Sequence, residues 1–181
     1  MRWLVPFLIT ALLIGGGCIS GGENVKARET LEVGSVFHNG SYIPAKFTCD
    51  GEDINPPIFI GNISEKAKSL VIIVDDPDAP RPFTHWIAWN IPPLGEIPEA
   101  LPKEGTVEKP IPMVQGRNDF GRVGYSGPCP PGGSVHHYHF RVYALDTTLN
   151  LPPGATREEL ERAMRGHVIQ WGELVGLYGR K

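Results

Sequence analysis

Three short stretches of this sequence carry side chains that could do chemistry together. The first, residues 75–80, is an acidic run broken by two prolines that directly follows the apolar, β-branched run 69–74. The second is His85, and the third is the histidine-rich stretch 136–138. Carboxylates at the end of a buried strand are costly unless cations, hydrogen-bond donors or water satisfy them, and histidines can serve as such partners. The alternative is that residues 75–80 form a solvated turn without function.

The predicted strands bring the aspartates towards His85. Residues 69–74 are typical of a buried strand, and residues 86–91 of a second strand that follows after a short loop. Antiparallel neighbours joined in this way place Asp76 or Asp78, after the first strand, on the same rim as His85, before the second. A cluster of titratable groups favours a functional site, whereas a lone histidine beside a tryptophan is more often a packed edge residue.

The remaining pattern predicts a mostly β fold. Residues 137–145 are expected to form a strand, with His136 and Tyr138 on one face and His137 and His139 on the other. A proline-containing edge strand is predicted at 42–47, and a strand at 168–178. We expect an antiparallel β-sandwich with long ordered loops and one C-terminal helix.

Two further segments complete this fold prediction. Thr156 and Glu159 have the spacing of a capping box, which predicts where the helix begins. Residues 91–135 are rich in proline and glycine, and loops of that length are usually functional or disordered. We expect this one to be ordered on the sheet because it carries four apolar or aromatic anchors, namely Ile111, Met113, Phe120 and Tyr125.

Composition sets the broad class of the protein. A chain of 181 residues with 41% hydrophobic and 20% charged residues is an ordinary globular protein, long enough for one domain with a sizeable core. The net charge of −3 and the lack of a lysine- or arginine-rich run argue against a nucleic-acid partner.

The N-terminal stretch predicts export and lipid attachment. Arg2, a short apolar run and three glycines precede Cys18, which is the order of a secretory signal followed by a lipidated cysteine. We therefore expect a signal peptide at 1–17, a tether at 18–31 and one domain at 32–181, held on the extracytoplasmic face of the cell membrane. The alternative is an uncleaved anchor, since residues 3–19 approach the length of a bilayer-spanning helix. Gly15 stands where an aliphatic residue is usual in lipoproteins.

The cysteine count permits one disulfide. With Cys18 assigned to lipid, Cys49 and Cys129 remain, an even number in an oxidising compartment. A bond between them would close a long loop and stabilise the fold by about 4 kcal/mol in the chain-entropy model. Two separate thiols are the alternative.

Several segments in order resemble one protein family. The motifs are Asp76-Pro77-Asp78-Ala79-Pro80, His85-Trp86, Asn118-Asp119-Phe120-Gly121, Gly127-Pro128-Cys129-Pro130-Pro131-Gly132 and His136-His137-Tyr138. Together with Thr48-Cys49-Asp50-Gly51, they resemble the phosphatidylethanolamine-binding protein family in its bacterial and archaeal form, over residues 32–178. The resemblance implies a β-sandwich with a small pocket for anions such as phosphate or a phospholipid headgroup.

The resemblance also implies which residues form that pocket. Carried over by motif, they are Asp76, Asp78, His85, Pro130, Pro131, His136 and Tyr138. The family commonly has arginine where this chain has His137, so a permanent cation is missing. Histidines, a tyrosine and loop N–H groups can serve as donors to a phosphoryl group. We expect an Asp–His pair to raise a histidine pKa, so that affinity for the anion falls as pH rises from about 5.5 to 8.

Three other functions remain open from the residues. A hydrolase would need a nucleophile, but Gly124-Tyr125-Ser126-Gly127-Pro128 lacks the last glycine of a nucleophile elbow, and only a reduced Cys129 could act as a thiolate. A metal site could use His139 with His136 or His137, without a third ligand of recognised spacing. The family resemblance also allows inhibition of an extracytoplasmic protease through loops near the pocket. We expect a binding protein that is not an enzyme and needs no metal or cofactor; homodimer formation is left open.

Overall fold

The structure, a computed structural model, describes residues 30–180. The predicted signal peptide, the lipidation site Cys18 and nearly all of the tether therefore lie outside the described residues. Within them, no helix is long and apolar enough to cross a membrane. The strands in chain order are β1 Glu32–Gly34, β2 Ser41–Tyr42, β3 Ile58–Gly61, β4 Ser69–Asp76, β5 Phe83–Ile91, β6 Glu96–Ile97, β7 Thr106–Val107, β8 Met113–Gln115, β9 Val135–Leu145 and β10 Val168–Gly179. A 3₁₀ helix covers Ala45–Phe47, and the α-helix α1 covers Arg157–Met164.

The strands form two sheets of unequal size. The larger has the order β2-β10-β9-β4-β5-β8-β7, and the smaller has the order β1-β3-β6. All pairs are antiparallel except β2 with β10. The predicted mostly β class with a single C-terminal helix is confirmed, and the arrangement approximates a sandwich.

Two hydrophobic clusters cover the two faces of the larger sheet. The inner cluster joins side chains of both sheets, including Ile58 from β3, Ile72 from β4 and Phe140 from β9. The outer cluster lies under α1 and includes Ile73, Trp89 and Leu160. Every residue of β4 is buried because both of its faces are covered in this way. This explains why residues 69–74 read as a continuous apolar run instead of alternating.

Most of the predicted elements are confirmed. Strands at 69–74, 86–91, 137–145 and 168–178 correspond to β4, β5, β9 and β10. The capping box is present, since the Thr156 side chain accepts from the Glu159 N–H and the Glu159 carboxylate accepts from the Thr156 N–H.

Two sequence predictions about the loops are wrong in part. Only the first residue of the predicted edge strand 42–47 lies in β2, because Pro44 has no N–H to pair and precedes the 3₁₀ helix. Phe120 was predicted to anchor the loop 91–135, but it is 42% exposed. The other three anchors of that loop are buried.

Candidate functional site

A cavity of about 390 Å³ opens where β4 ends and where β5 and β9 begin. All seven residues predicted for the pocket line it: Asp76, Asp78, His85, Pro130, Pro131, His136 and Tyr138. Five more complete the wall: Ala79, Pro80, Phe83, Phe120 and Cys129. No lysine or arginine is among these lining residues. The cavity is therefore a mostly apolar space with a few imidazole and carboxylate groups.

Asp76 holds His136 in place. Its Oδ2 lies 2.6 Å from Nδ1 of His136, and its Oδ1 accepts the backbone N–H groups of Asp78 and Ala79 at 2.9 and 3.2 Å. The carboxylate is almost fully buried, so it needs these partners. Asp76 therefore fixes the orientation of the His136 ring. The other nitrogen of His136, Nε2, lies 3.3 Å from the Ser134 hydroxyl.

Asp78 lines the cavity but forms its hydrogen bonds with His137, an exposed residue of β9. Its Oδ2 accepts the backbone N–H of His137 at 2.8 Å and lies 2.6 Å from Nδ1 of the same residue. The hydrogen bond from the His137 side chain, helped by that from its backbone, lowers the pKa of the Asp78 carboxyl. Asp78 therefore joins the 75–80 turn to β9, and His137, absent from the cavity lining, supplies no cation there.

His85 is buried with one ring nitrogen engaged. Its Nδ1 lies 2.7 Å from the carbonyl oxygen of Ser126. Burial lowers the pKa of His85, and the carbonyls of Ser126 and Gly127 and the charge of Asp76 offset this only in part. The net pKa of His85 is therefore lowered although Asp76 acts to raise it, because burial has the larger effect. Asp76 forms its close pair with His136 instead.

The Tyr138 ring lies between the two histidines. It meets His85 edge-on at 5.2 Å between centroids and stacks on His136 at 6.5 Å. Its hydroxyl is closed to solvent and makes no hydrogen bond of normal geometry with residues 30–180. Burial, with a further contribution from Asp76, raises the pKa of this phenol well above its usual value, so it stays protonated. Its predicted role as a donor to the anion stays a prediction.

A disulfide fixes the proline-rich wall of the cavity. Cys49 and Cys129 are bonded, with their Cα atoms 5.4 Å apart, which confirms the predicted pairing. The Cys49 N–H also donates to the Pro128 carbonyl at 3.1 Å. Gly127 lies so close to the 3₁₀ helix that a Cβ there would overlap the Phe47 carbonyl oxygen. These contacts hold Pro130 and Pro131 beside the histidines, although prolines offer no N–H of their own.

Two aromatic residues of the cavity wall, Phe83 and Phe120, are not among the residues predicted for the pocket. Phe83 and Phe120 meet at 4.7 Å between ring centroids, and each lies 5.4 Å from the ring of His85. Phe83 could have been found, because it lies two residues before His85 on one strand and therefore on the same face. Asn118 positions Phe120 by accepting its backbone N–H at 3.1 Å.

The structure also bears on the alternative chemistries. Cys129 is in the disulfide and so has no thiol to act as a nucleophile. Within residues 30–180, no group of three or more His, Cys, Asp and Glu side chains is arranged to hold a metal ion. His139 is instead paired with Glu173, with its Nδ1 2.9 Å from the carboxylate.

Comparison with known proteins assigns this chain to a family. A sequence model of the phosphatidylethanolamine-binding protein matches residues 33–179. A UPF0098 protein of Pyrococcus abyssi is 68% identical over 183 residues, covering 100% of both chains. A UPF0098 protein of Chlamydia trachomatis is 40% identical over 79% of this chain and 94% of its own.

Two solved structures support the same assignment. The phosphatidylethanolamine-binding protein homologue CT736 of Chlamydia trachomatis superposes with a TM-score of 0.76 at 38% identity, over 84% of this chain and 99% of that one. Escherichia coli YbcL, described as a member of the mammalian family, superposes with a TM-score of 0.77 at 30% identity, over 84% and 100% of the two chains. The chain therefore belongs to the phosphatidylethanolamine-binding protein family.

Proposed function

We propose that this protein binds small ligands carrying a phosphoryl or similar anionic group in the cavity between β4, β5 and β9, and releases them unchanged. The observation that carries the proposal is the pair of imidazoles, His85 and His136, that line an otherwise mostly apolar cavity. His85 uses its Nδ1 for the Ser126 carbonyl, and no hydrogen bond to Nε2 is found within residues 30–180, so that nitrogen is left for a ligand in the cavity.

Binding without turnover is supported by the residues that line the cavity. Within the described chain, they include no serine and no free thiol, since Cys129 is oxidised. The short Asp76–His136 pair resembles part of a catalytic relay, but the Ser134 hydroxyl, 3.3 Å from Nε2 of His136, donates to the Pro131 carbonyl at 3.0 Å. Asp76 and His136 are therefore arranged to hold an anion in position and not to activate a nucleophile.

We also propose that the protein acts on the extracytoplasmic face of the membrane, attached through lipid on Cys18. The support is the order of charge, apolar run and small residues before that cysteine, which lies outside the described residues. An exposed disulfide at the cavity wall is compatible with an oxidising compartment. Inhibition of a protease there and formation of a homodimer stay predictions.

Phosphoethanolamine is expected to bind the full chain with one site per molecule, whereas ethanolamine, which lacks the phosphoryl group, is not. Isothermal titration calorimetry at pH 6.5 measures this directly. A ligand that binds only the folded state also stabilises it, by about 2.7 kcal/mol at one hundred times its dissociation constant. Equal binding of ethanolamine and phosphoethanolamine, or heat and stability unchanged by either at millimolar concentration, would contradict the proposed function.

A further inference from the structure

The hydrogen on the His85 ring has a defined place. A carbonyl oxygen only accepts hydrogen bonds, so Nδ1, 2.7 Å from the Ser126 carbonyl, carries a hydrogen. In the neutral ring, Nε2 is then a lone-pair acceptor. The lowered pKa of His85, caused chiefly by burial, favours that neutral form near neutral pH. The cavity therefore presents an acceptor at His85 where a simple anion site would present a donor.

The charged and titratable groups around His85 do not reverse the lowering of its pKa. Asp76 comes from β4, Asp119 from the loop after β8, and His136 and Tyr138 from β9. The two aspartates act to raise the pKa of His85, but burial outweighs them. Asp76 is in turn engaged by His136 and two backbone N–H groups, and the phenol of Tyr138 stays protonated.

The charged groups of the cavity lining also disfavour a doubly ionised phosphoryl group. Its lining contains two carboxylates and, among the described residues, no lysine or arginine. No side chain of this lining carries a permanent positive charge, so a doubly charged anion is matched less well than a singly charged one. A fully ionised oxygen placed against the His85 lone pair would be repelled, whereas an O–H group there would donate a hydrogen bond.

We propose that the cavity selects phosphoryl groups in their singly protonated, monoanionic form, with the P–O–H group donating to Nε2 of His85. The protein would thereby distinguish phosphate esters from sulfate esters, which have the same shape and charge but no acidic hydrogen. This inference rests on the proposed function, because it specifies the ionisation state of the ligand of the same site.

Methyl phosphate and methyl sulfate are the matched probes for this proposal. We expect the methyl phosphate monoanion to bind the full chain at least about tenfold more tightly than methyl sulfate at pH 6.5, because the sulfate ester has no hydrogen to donate to Nε2 of His85. The total affinity for methyl phosphate should fall about tenfold per pH unit above the second pKa of the ester, which is about 6. Calorimetric titration at pH 5.5, 6.5 and 7.5 measures both.

A His85→Gln variant tests the residue itself. The glutamine amide can turn to present either a donor or an acceptor, so the preference for methyl phosphate should shrink to less than about threefold. His167→Gln is the matched control, because His167 is exposed and paired with Asp146 away from the cavity. It should keep the wild-type preference.

A measurement without any variant covers the case in which His85→Gln does not fold. The ³¹P resonance of methyl phosphate bound to the wild-type chain should keep the monoanion position at pH 7.5, where the free ester is mostly dianion. A dianion resonance, or equal affinity for the two esters while phosphoethanolamine binds, would overturn the inference and leave the proposed function standing. Failure of all three ligands to bind would overturn both.

Discussion

Replacing Cys49 and Cys129 with serine is expected to lower the free energy of unfolding by about 4–5 kcal/mol. The disulfide joins residues separated by 80 positions, and the chain-entropy model assigns a loss of that size to opening a loop so long. Both cysteines are exposed, and the wall they fix contains Pro130 and Pro131, which donate no backbone hydrogen bonds. Denaturant unfolding of the double variant against the wild type measures the difference.

Treatment with a reducing agent is the control for this prediction. A dithiol should lower the stability of the wild-type chain to that of the double variant and should leave the variant unchanged. If the double variant loses less than about 1 kcal/mol, the loops 48–51 and 127–131 are held by their backbone contacts and not by the disulfide. That result would contradict the account of how the cavity wall is fixed.

Asp75→Asn is expected to lower the free energy of unfolding by about 2–4 kcal/mol. The Asp75 carboxylate is 4% exposed and lies 2.7 Å from Arg141 on β9 and 2.8 Å from Arg157 on α1. Removing its charge leaves two partly buried guanidinium groups without their shared partner, and breaking buried pairs in this way is strongly destabilising. Because Asp75 links the helix to the sheet, thermal and denaturant unfolding should both show the loss.

The matched control is Asp146→Asn. Asp146 also pairs with a cationic side chain, His167, but about half of each side chain is exposed. Exposed pairs contribute little, so this variant should stay within about 0.5 kcal/mol of the wild type. Equal effects of the two substitutions would show that the buried network does not tie α1 to the sheet.

The sequence predicted the site because its residues lie at strand ends. Asp76, His85 and His136 each end or begin a strong apolar run, and the antiparallel order of β4, β5 and β9 brings those ends together. The family resemblance then supplied the ligand class and the role of residues 127–132. The number of cysteines permitted the pairing of Cys49 with Cys129 but left two separate thiols open, and the structure decides for the disulfide.

The parts that could not be predicted depend on contacts distant in the sequence. The tautomer of His85 is set by the Ser126 carbonyl, 41 residues away. Asp75 and Asp76 read as one acidic cluster, but successive residues of a strand point to opposite faces, so Asp75 binds arginines on the outer face. A register shift between Val74 and Asp75 in the pairing with β5 is likewise invisible in the residue pattern.

The measurement that tests the central claim most directly is the affinity of phosphoethanolamine for His136→Gln. His136 lines the cavity and is held by Asp76 at 2.6 Å, so replacing its ring removes a chargeable group from the proposed anion site. We expect calorimetry at pH 6.5 to show at least about tenfold weaker binding, the usual cost of one hydrogen bond to a charged group. His167→Gln, the same change on an exposed histidine, should bind like the wild type. Unchanged affinity in a folded His136→Gln variant would contradict the assignment of this cavity as the binding site.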